Sequence, residues 1–187
     1  MMRILALGDS LTTGYGLAPD ASFASRLEQA LRREGRDVRV IDGGVSGDTA
    51  HDGLRRLGSL LAHQPHLVLV EFGTNDWYQG VAVDEIKANL EQIITTSHKA
   101  GARVLLAGVR SLTGGDEEYV ARFHGLYQEI AREQSVPLVP DFLPGIVGNM
   151  HLTLPDGLHP NEAGVGAIVA AVLPVIRPVL DELEAGA

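Results

Sequence analysis

Five short apolar runs, at residues 4–7, 38–41, 67–72, 104–107 and 138–139, limit what this 187-residue chain can become. Taken together they do not alternate between apolar and polar side chains, as expected for strands covered on both faces. The segments between them keep helical spacing instead. Phe23, Leu27 and Leu31 form one stripe, and Leu54, Leu57 and Leu61 a second. Ile86, Leu90, Ile93 and Ile94 form a third, and Tyr119, Phe123, Leu126, Tyr127 and Ile130 a fourth. A last helical segment follows His159, with Pro160 suited to its first turn and Pro174 and Pro178 expected to interrupt or kink it.

Strands that alternate with helices imply a parallel sheet joined by right-handed crossovers. Five strands most simply give the flavodoxin-like order 2-1-3-4-5, a three-layer α/β/α sandwich with its switch point between strands one and three. No linker or repeat divides the chain, so residues 1–187 read as a single domain.

In this topology the loops leaving strands one, two, three and five meet at one edge of the sheet. They carry Asp9-Ser10, Ser46-Gly47-Asp48, Gly73-Thr74-Asn75-Asp76 and the turn Asp156-Gly157-Leu158-His159. Alone, each has an ordinary explanation: a helix cap, a turn glycine, a turn asparagine, a helix start. Together they hold the parts of a nucleophilic site. Ser10 is the candidate nucleophile, and a serine hydroxyl needs a base to take its proton as it attacks. His159 is the candidate base, since Asp156 on the same turn can hold one ring nitrogen and leave the other to the serine. Gly47 and Ser10 through their backbone N–H groups, and Asn75 through its side-chain amide, are candidate donors to an oxyanion. Asp9 is expected to fix the serine loop by accepting backbone N–H groups, and Asp48 to cap the helix that starts near Thr49.

His51, His63, His66, His98 and His124 have no such companion and read as surface or structural residues, while His151 lies near the site loop. A metal site built from His151, Asp156 and His159 has too few ligands and matches no strong spacing. Cysteine is absent, which removes thiolate chemistry. A net charge of −9, with only 15 Lys and Arg, argues against nucleic acid as a partner. The pairs Arg32-Arg33 and Arg55-Arg56 are expected on solvated helix faces. No apolar run reads as long enough to span a bilayer, so no integral membrane association is expected. The first strand begins almost at Met1 and leaves no basic segment and apolar core of a signal peptide, so the sequence as it stands reads as cytoplasmic, or as periplasmic or secreted if a leader has been removed.

Gly8-Asp9-Ser10-Leu11 resembles the signature of the GDSL esterases and lipases, the SGNH hydrolase superfamily. The four invariant positions of that family fall in order on Ser10, Gly47, Asn75 and His159, and Asp156 matches its third triad member. Val45-Ser46-Gly47-Asp48-Thr49 and the run Val70-Glu71-Phe72-Gly73-Thr74-Asn75-Asp76 are similar in particular to the bacterial thioesterase, lysophospholipase and arylesterase branch. The chain departs from it at Thr74, where close relatives often carry Gly. The resemblance implies a serine hydrolase that needs no cofactor and acts on a small-molecule ester or thioester through an acyl-enzyme. It also implies a substrate-contacting loop at residues 110–116, which includes Leu112. Trp77, Tyr78, Leu112, Phe142, Leu143, Ile146, Val147 and Met150 either line an apolar acyl groove or form a local core beneath a loop. The other readings are an acyltransferase serving an alcohol or sugar acceptor, a carbohydrate acetyl esterase, and a non-catalytic binding module.

Overall fold

The computed structural model describes every residue except Ser111 and Ala187. Its centre is β1 (Met2–Gly8), which pairs in parallel with β2 (Val38–Gly44) on one side and β3 (Leu67–Glu71) on the other. β4 (Arg103–Ala107) and β5 (Leu138–Val139) complete an all-parallel sheet of order 2-1-3-4-5. Ile4, Leu5, Ala6 and Leu7 have no exposed surface, and neither do Leu67 to Val70. That is why their sequence shows no alternation: both faces are covered by helices.

The helices are α1 (Ser10–Thr13), α2 (Phe23–Arg33), α3 (Ala50–Leu61), α4 (Thr74–Gln79), α5 (Val83–Lys99), α6 (Glu117–Gln134) and α7 (Glu162–Ala185). α2 and α7 pack together on one face of the sheet, while α5 packs between α3 and α6 on the other. Each of the four apolar stripes points into the core, and Phe23, Leu27, Leu57, Ile86, Leu90, Phe123 and Ile130 are buried there.

Three sequence expectations need correction. β2 is an edge strand, and only part of it is covered: Arg39 is exposed, and Val40 and Ile41 are half-buried. α7 begins after Pro160, with Asn161 as its cap, whose side chain accepts the Gly164 N–H; Pro160 instead bridges Thr153. The helix then runs through both Pro174 and Pro178. Both prolines lie on its exposed side, so the carbonyls deprived of a helical partner face water.

α7 also corrects the reading that no apolar run is long enough to span a bilayer. At 24 residues it passes that test by length and composition alone. In this fold it is a core helix, with Val165, Ile168, Val172, Ile176 and Leu180 buried against the sheet layer.

Candidate active site

β1 ends at Gly8, and the chain turns at once into α1. The turn is closed by Asp9, whose Oδ1 accepts the Leu11 N–H at 2.9 Å and caps the helix. Ser10 is therefore the first residue of α1, at the C-terminal mouth of the central strand, the position that open α/β sheets use for chemistry. Its Oγ lies 3.1 Å from His159 Nε2. On the other side of the ring, His159 Nδ1 lies 2.5 Å from Asp156 Oδ2. The second oxygen of Asp156 accepts the backbone N–H groups of Leu158 at 2.9 Å and His159 at 3.0 Å, so the tight turn itself fixes the carboxylate. Its desolvation, which raises the pKa, is outweighed by these donors and by His159, leaving Asp156 below the usual carboxylate range. The Tyr15 ring lies against the His159 imidazole with centroids 4.4 Å apart.

The other two loops arrive at the same mouth. Gly47 is exposed with φ +89°, a conformation suited to glycine. Asn75 lies in the first turn of α4. Its Nδ2 donates to Asp9 Oδ2 at 3.0 Å and to the Asp48 carbonyl at 2.9 Å. The candidate donor amide is thus engaged with the residues next to Ser10 and Gly47. Any oxyanion it serves must displace one of those acceptors.

Asp48 does not cap α3. Thr49 does, accepting the Asp52 N–H, while the Asp52 side chain bonds back to Thr49 N–H in a capping box. Asp48 pairs with Arg56 at 2.6 Å, and Arg56 also donates to the carbonyls of Gly43 at 2.6 Å and Gly8 at 2.9 Å. The expected solvated arginine is therefore half-buried and ties α3 to the ends of β1 and β2, and only Arg55 is exposed.

Sequence reasoning also passed over Glu71. It is fully buried at the end of β3, and its Oε2 accepts Thr12 Oγ1 at 2.9 Å and the Asp9 N–H at 3.3 Å. A single carboxylate inside an apolar run was the available signal. Burial, then the neighbouring Asp9, pushes Glu71 well above its usual range, and burial pushes Asp9 up to about 7 and Asp76 to about 6.

The apolar candidates do not gather into one groove. Phe142, Leu143 and Ile146 have no exposed surface and belong to the core, where Phe142 packs edge-on against Phe23 at 4.9 Å. Leu112 is buried too, Val147 packs on the core half-buried, and Met150 and Tyr78 are about 61% and 60% exposed. Trp77 meets Tyr119 and Phe123 edge-on and stacks parallel to His124. With Gly80, Gly114, Gly115, Asp116 and Tyr119 it lines an open cavity of about 410 Å³. Ser111, within the expected substrate-contacting loop, lies outside the described residues. His66 accepts the Arg3 N–H and His124 bonds the Leu112 carbonyl, while His51, His63, His98 and His151 are exposed.

Residues 6–167 match the model of the GDSL-like lipase/acylhydrolase family, which spans all four loops. The chain belongs to that family. Two curated relatives of this GDSL hydrolase are esterases by name. An arylesterase of Vibrio mimicus is 39% identical over 85% of this chain and 80% of its own length. The esterase TesA of Pseudomonas aeruginosa is 34% identical over 95% of this chain and 89% of its own. The crystal structure of TesA superposes with a TM-score of 0.90, covering 95% of this chain and 99% of that one. A structure of the esterase EstA of a Pseudoalteromonas species, inhibited by monoethylphosphonate, also gives 0.90 at 29% identity, covering 97% of this chain and 100% of its own. The GDSL hydrolase described here has the SGNH hydrolase fold and is an ester-cleaving enzyme.

Proposed function

We propose that this chain hydrolyses short to medium carboxylic esters, aryl esters, thioesters or lysophospholipids among them, through an acyl-enzyme on Ser10. The observation that carries this reading is the relay Ser10 Oγ to His159 Nε2 at 3.1 Å and His159 Nδ1 to Asp156 Oδ2 at 2.5 Å. Asp156 fixes the ring tautomer with the proton on Nδ1, so Nε2 is the free base that faces the hydroxyl. As Ser10 Oγ bonds to the ester carbon, its proton passes to His159 Nε2, and the carbonyl oxygen becomes an oxyanion. The Gly47 and Ser10 backbone N–H groups and the Asn75 amide receive that charge, each donor worth about 3–4 kcal/mol of barrier. Collapse breaks the bond to the leaving alcohol, which takes the proton from His159 and leaves the acyl group on Ser10. Water then attacks the acyl-serine with His159 again as base, and release of the acid restores the hydroxyl.

The names of the relatives support the substrate class. The test is release of nitrophenol from p-nitrophenyl acetate and butyrate by wild type and Ser10→Ala. Wild type turns over and the variant falls to background. Equal rates from the two folded proteins would remove the reading.

A further inference from the structure

Asp9 stands immediately before Ser10, has no exposed surface, and takes no part in the mechanism above. Its Oδ1 is committed to the Leu11 N–H, and its Oδ2 accepts Asn75 Nδ2 at 3.0 Å. Beside it, Glu71 has one oxygen on Thr12 and the Asp9 N–H, while Oε1 has no hydrogen-bond partner among the described residues. Gly8 permits this approach: a Cβ there would come within 2.1 Å of Thr12 Oγ1 and 2.6 Å of Glu71 Oε2. Two carboxyls and one amide thus meet beneath the nucleophile turn.

An amide is nearly symmetric in shape, so its hydrogen-bond partners decide which end faces which neighbour. The Asp48 carbonyl can only accept. An ionised Asp9 can only accept as well, and the two together hold Nδ2 toward them. A protonated Asp9 is a donor that favours Asn75 Oδ1 and so opposes Asp48. An oxyanion needs the N–H end and is repelled by the oxygen end.

We propose that Asp9 is a positioning residue for ester hydrolysis: its ionised carboxylate fixes the Asn75 amide with Nδ2 available, and the buried Glu71 sets its charge. The proposal rests on the reading of Asn75 as an oxyanion donor. It also explains how an amide with both hydrogens engaged serves an oxyanion. The neutral Asp48 carbonyl gives up its hydrogen bond, and the charge-assisted bond to Asp9 stays.

The ionisable groups around Asp9 are Glu71 on β3, Asp76 on α4, His159 on the turn before α7, and Arg56 of α3 at the Gly8 carbonyl, with Asp48 paired to it. Tyr127 of α6 bonds the Phe72 carbonyl, and Asp42 of β2 takes the Thr13 hydroxyl next along α1. Burial pushes Asp9 up to about 7, Asp76 adds to this, and the Leu11 N–H, Glu71 and His159 oppose it. Glu71, raised further by burial and by Asp9, is the acid that keeps its proton. Asp9 is the one that changes charge near neutral pH, and the productive amide orientation gains as pH rises.

The test follows the Asn75 side-chain amide resonances and the Asp9 carboxyl carbon in labelled wild-type protein from about pH 5 to pH 9, beside kcat/KM on p-nitrophenyl acetate. The amide resonances are expected to move with the Asp9 midpoint. Glu71→Gln replaces the protonated acid that holds Asp9 down with a weaker amide donor, so it shifts that midpoint and the rising limb of kcat/KM to higher pH together. Asp9→Asn lowers kcat by about 10- to 100-fold with KM little changed, short of the loss of a whole oxyanion donor. A pH-silent Asn75 amide in wild type overturns the proposal, as does a Glu71→Gln midpoint shift with an unmoved activity limb. Asn75→Ala separates the two levels: wild-type turnover by that variant removes the oxyanion reading itself, whereas slow turnover beside a pH-silent amide removes the Asp9 role alone.

Discussion

Asp156 receives two backbone N–H groups and the imidazole of His159, an arrangement that a three-residue turn can supply without help from the rest of the fold. Asp156→Asn keeps the shape and loses the charge. It is expected to lower kcat steeply, up to about 10⁴-fold if the ring adopts the wrong tautomer, with KM little changed. Steady-state kinetics on a p-nitrophenyl ester would show this, and a change confined to KM would contradict it. This pair was legible in the sequence because its partners lie three residues apart. Glu71, the bond from Arg56 to Gly8 and the engagement of Asn75 were not, because those partners lie 27 to 66 residues away in the chain, as with Asn75 and Asp9.

The buried acids carry a pH signature in stability. Asp9 near 7, Asp76 near 6 and Glu71 well above its usual range hold protons in the folded state that the unfolded chain releases near 3.8 to 4.5. Between those limits the folded state binds more protons, so their contribution is full at low pH and is lost as pH rises through 6 to 7. The urea midpoint is expected to fall between about pH 5 and pH 8, and Glu71→Gln to flatten that fall. A midpoint that rises over this range would refute the assignment.

At the scale of elements, α3 sets where Gly47 stands, because Thr49 caps it and Arg56 ties it to the strand ends. The helix lies close on Phe72, just past β3: a Cβ at Gly53 would come within 2.2 Å of its ring, whereas one at Gly58 would meet nothing within 4 Å. Gly53→Ala is therefore expected to destabilise by about 1–3 kcal/mol through overpacking. Gly58→Ala, in the same helix, should stabilise by about 0.5–1 kcal/mol. Chemical denaturation of the two variants checks both signs, and equal shifts would show that α3 is not seated as described. Strand and helix periodicity made the elements and their order readable, since both follow from burial on known faces. The helix boundaries were harder, and α7 shows why. Its start depends on Asn161 reaching Gly164, and its passage through two prolines depends on which side faces water.

For the whole molecule, the sheet order brings β1, β2, β3 and the segment after β5 to one mouth, so residues 149 positions apart, Ser10 and His159, meet at 3.1 Å. What the sequence could not supply was the substrate surface. Phe142, Leu143 and Ile146 belong to the core, Trp77 lines a cavity, and Tyr78 and Met150 are exposed, a division that only the packing decides. The reactivity of Ser10 can be measured without knowing the substrate. Wild-type protein is treated with a fluorophosphonate probe and read by intact mass and peptide mapping. The expected result is one adduct per chain, on Ser10, with complete loss of esterase activity and no adduct on Ser10→Ala. An unlabelled chain that still hydrolyses the ester, or an adduct at another residue with activity lost in step, would exclude Ser10 as the nucleophile.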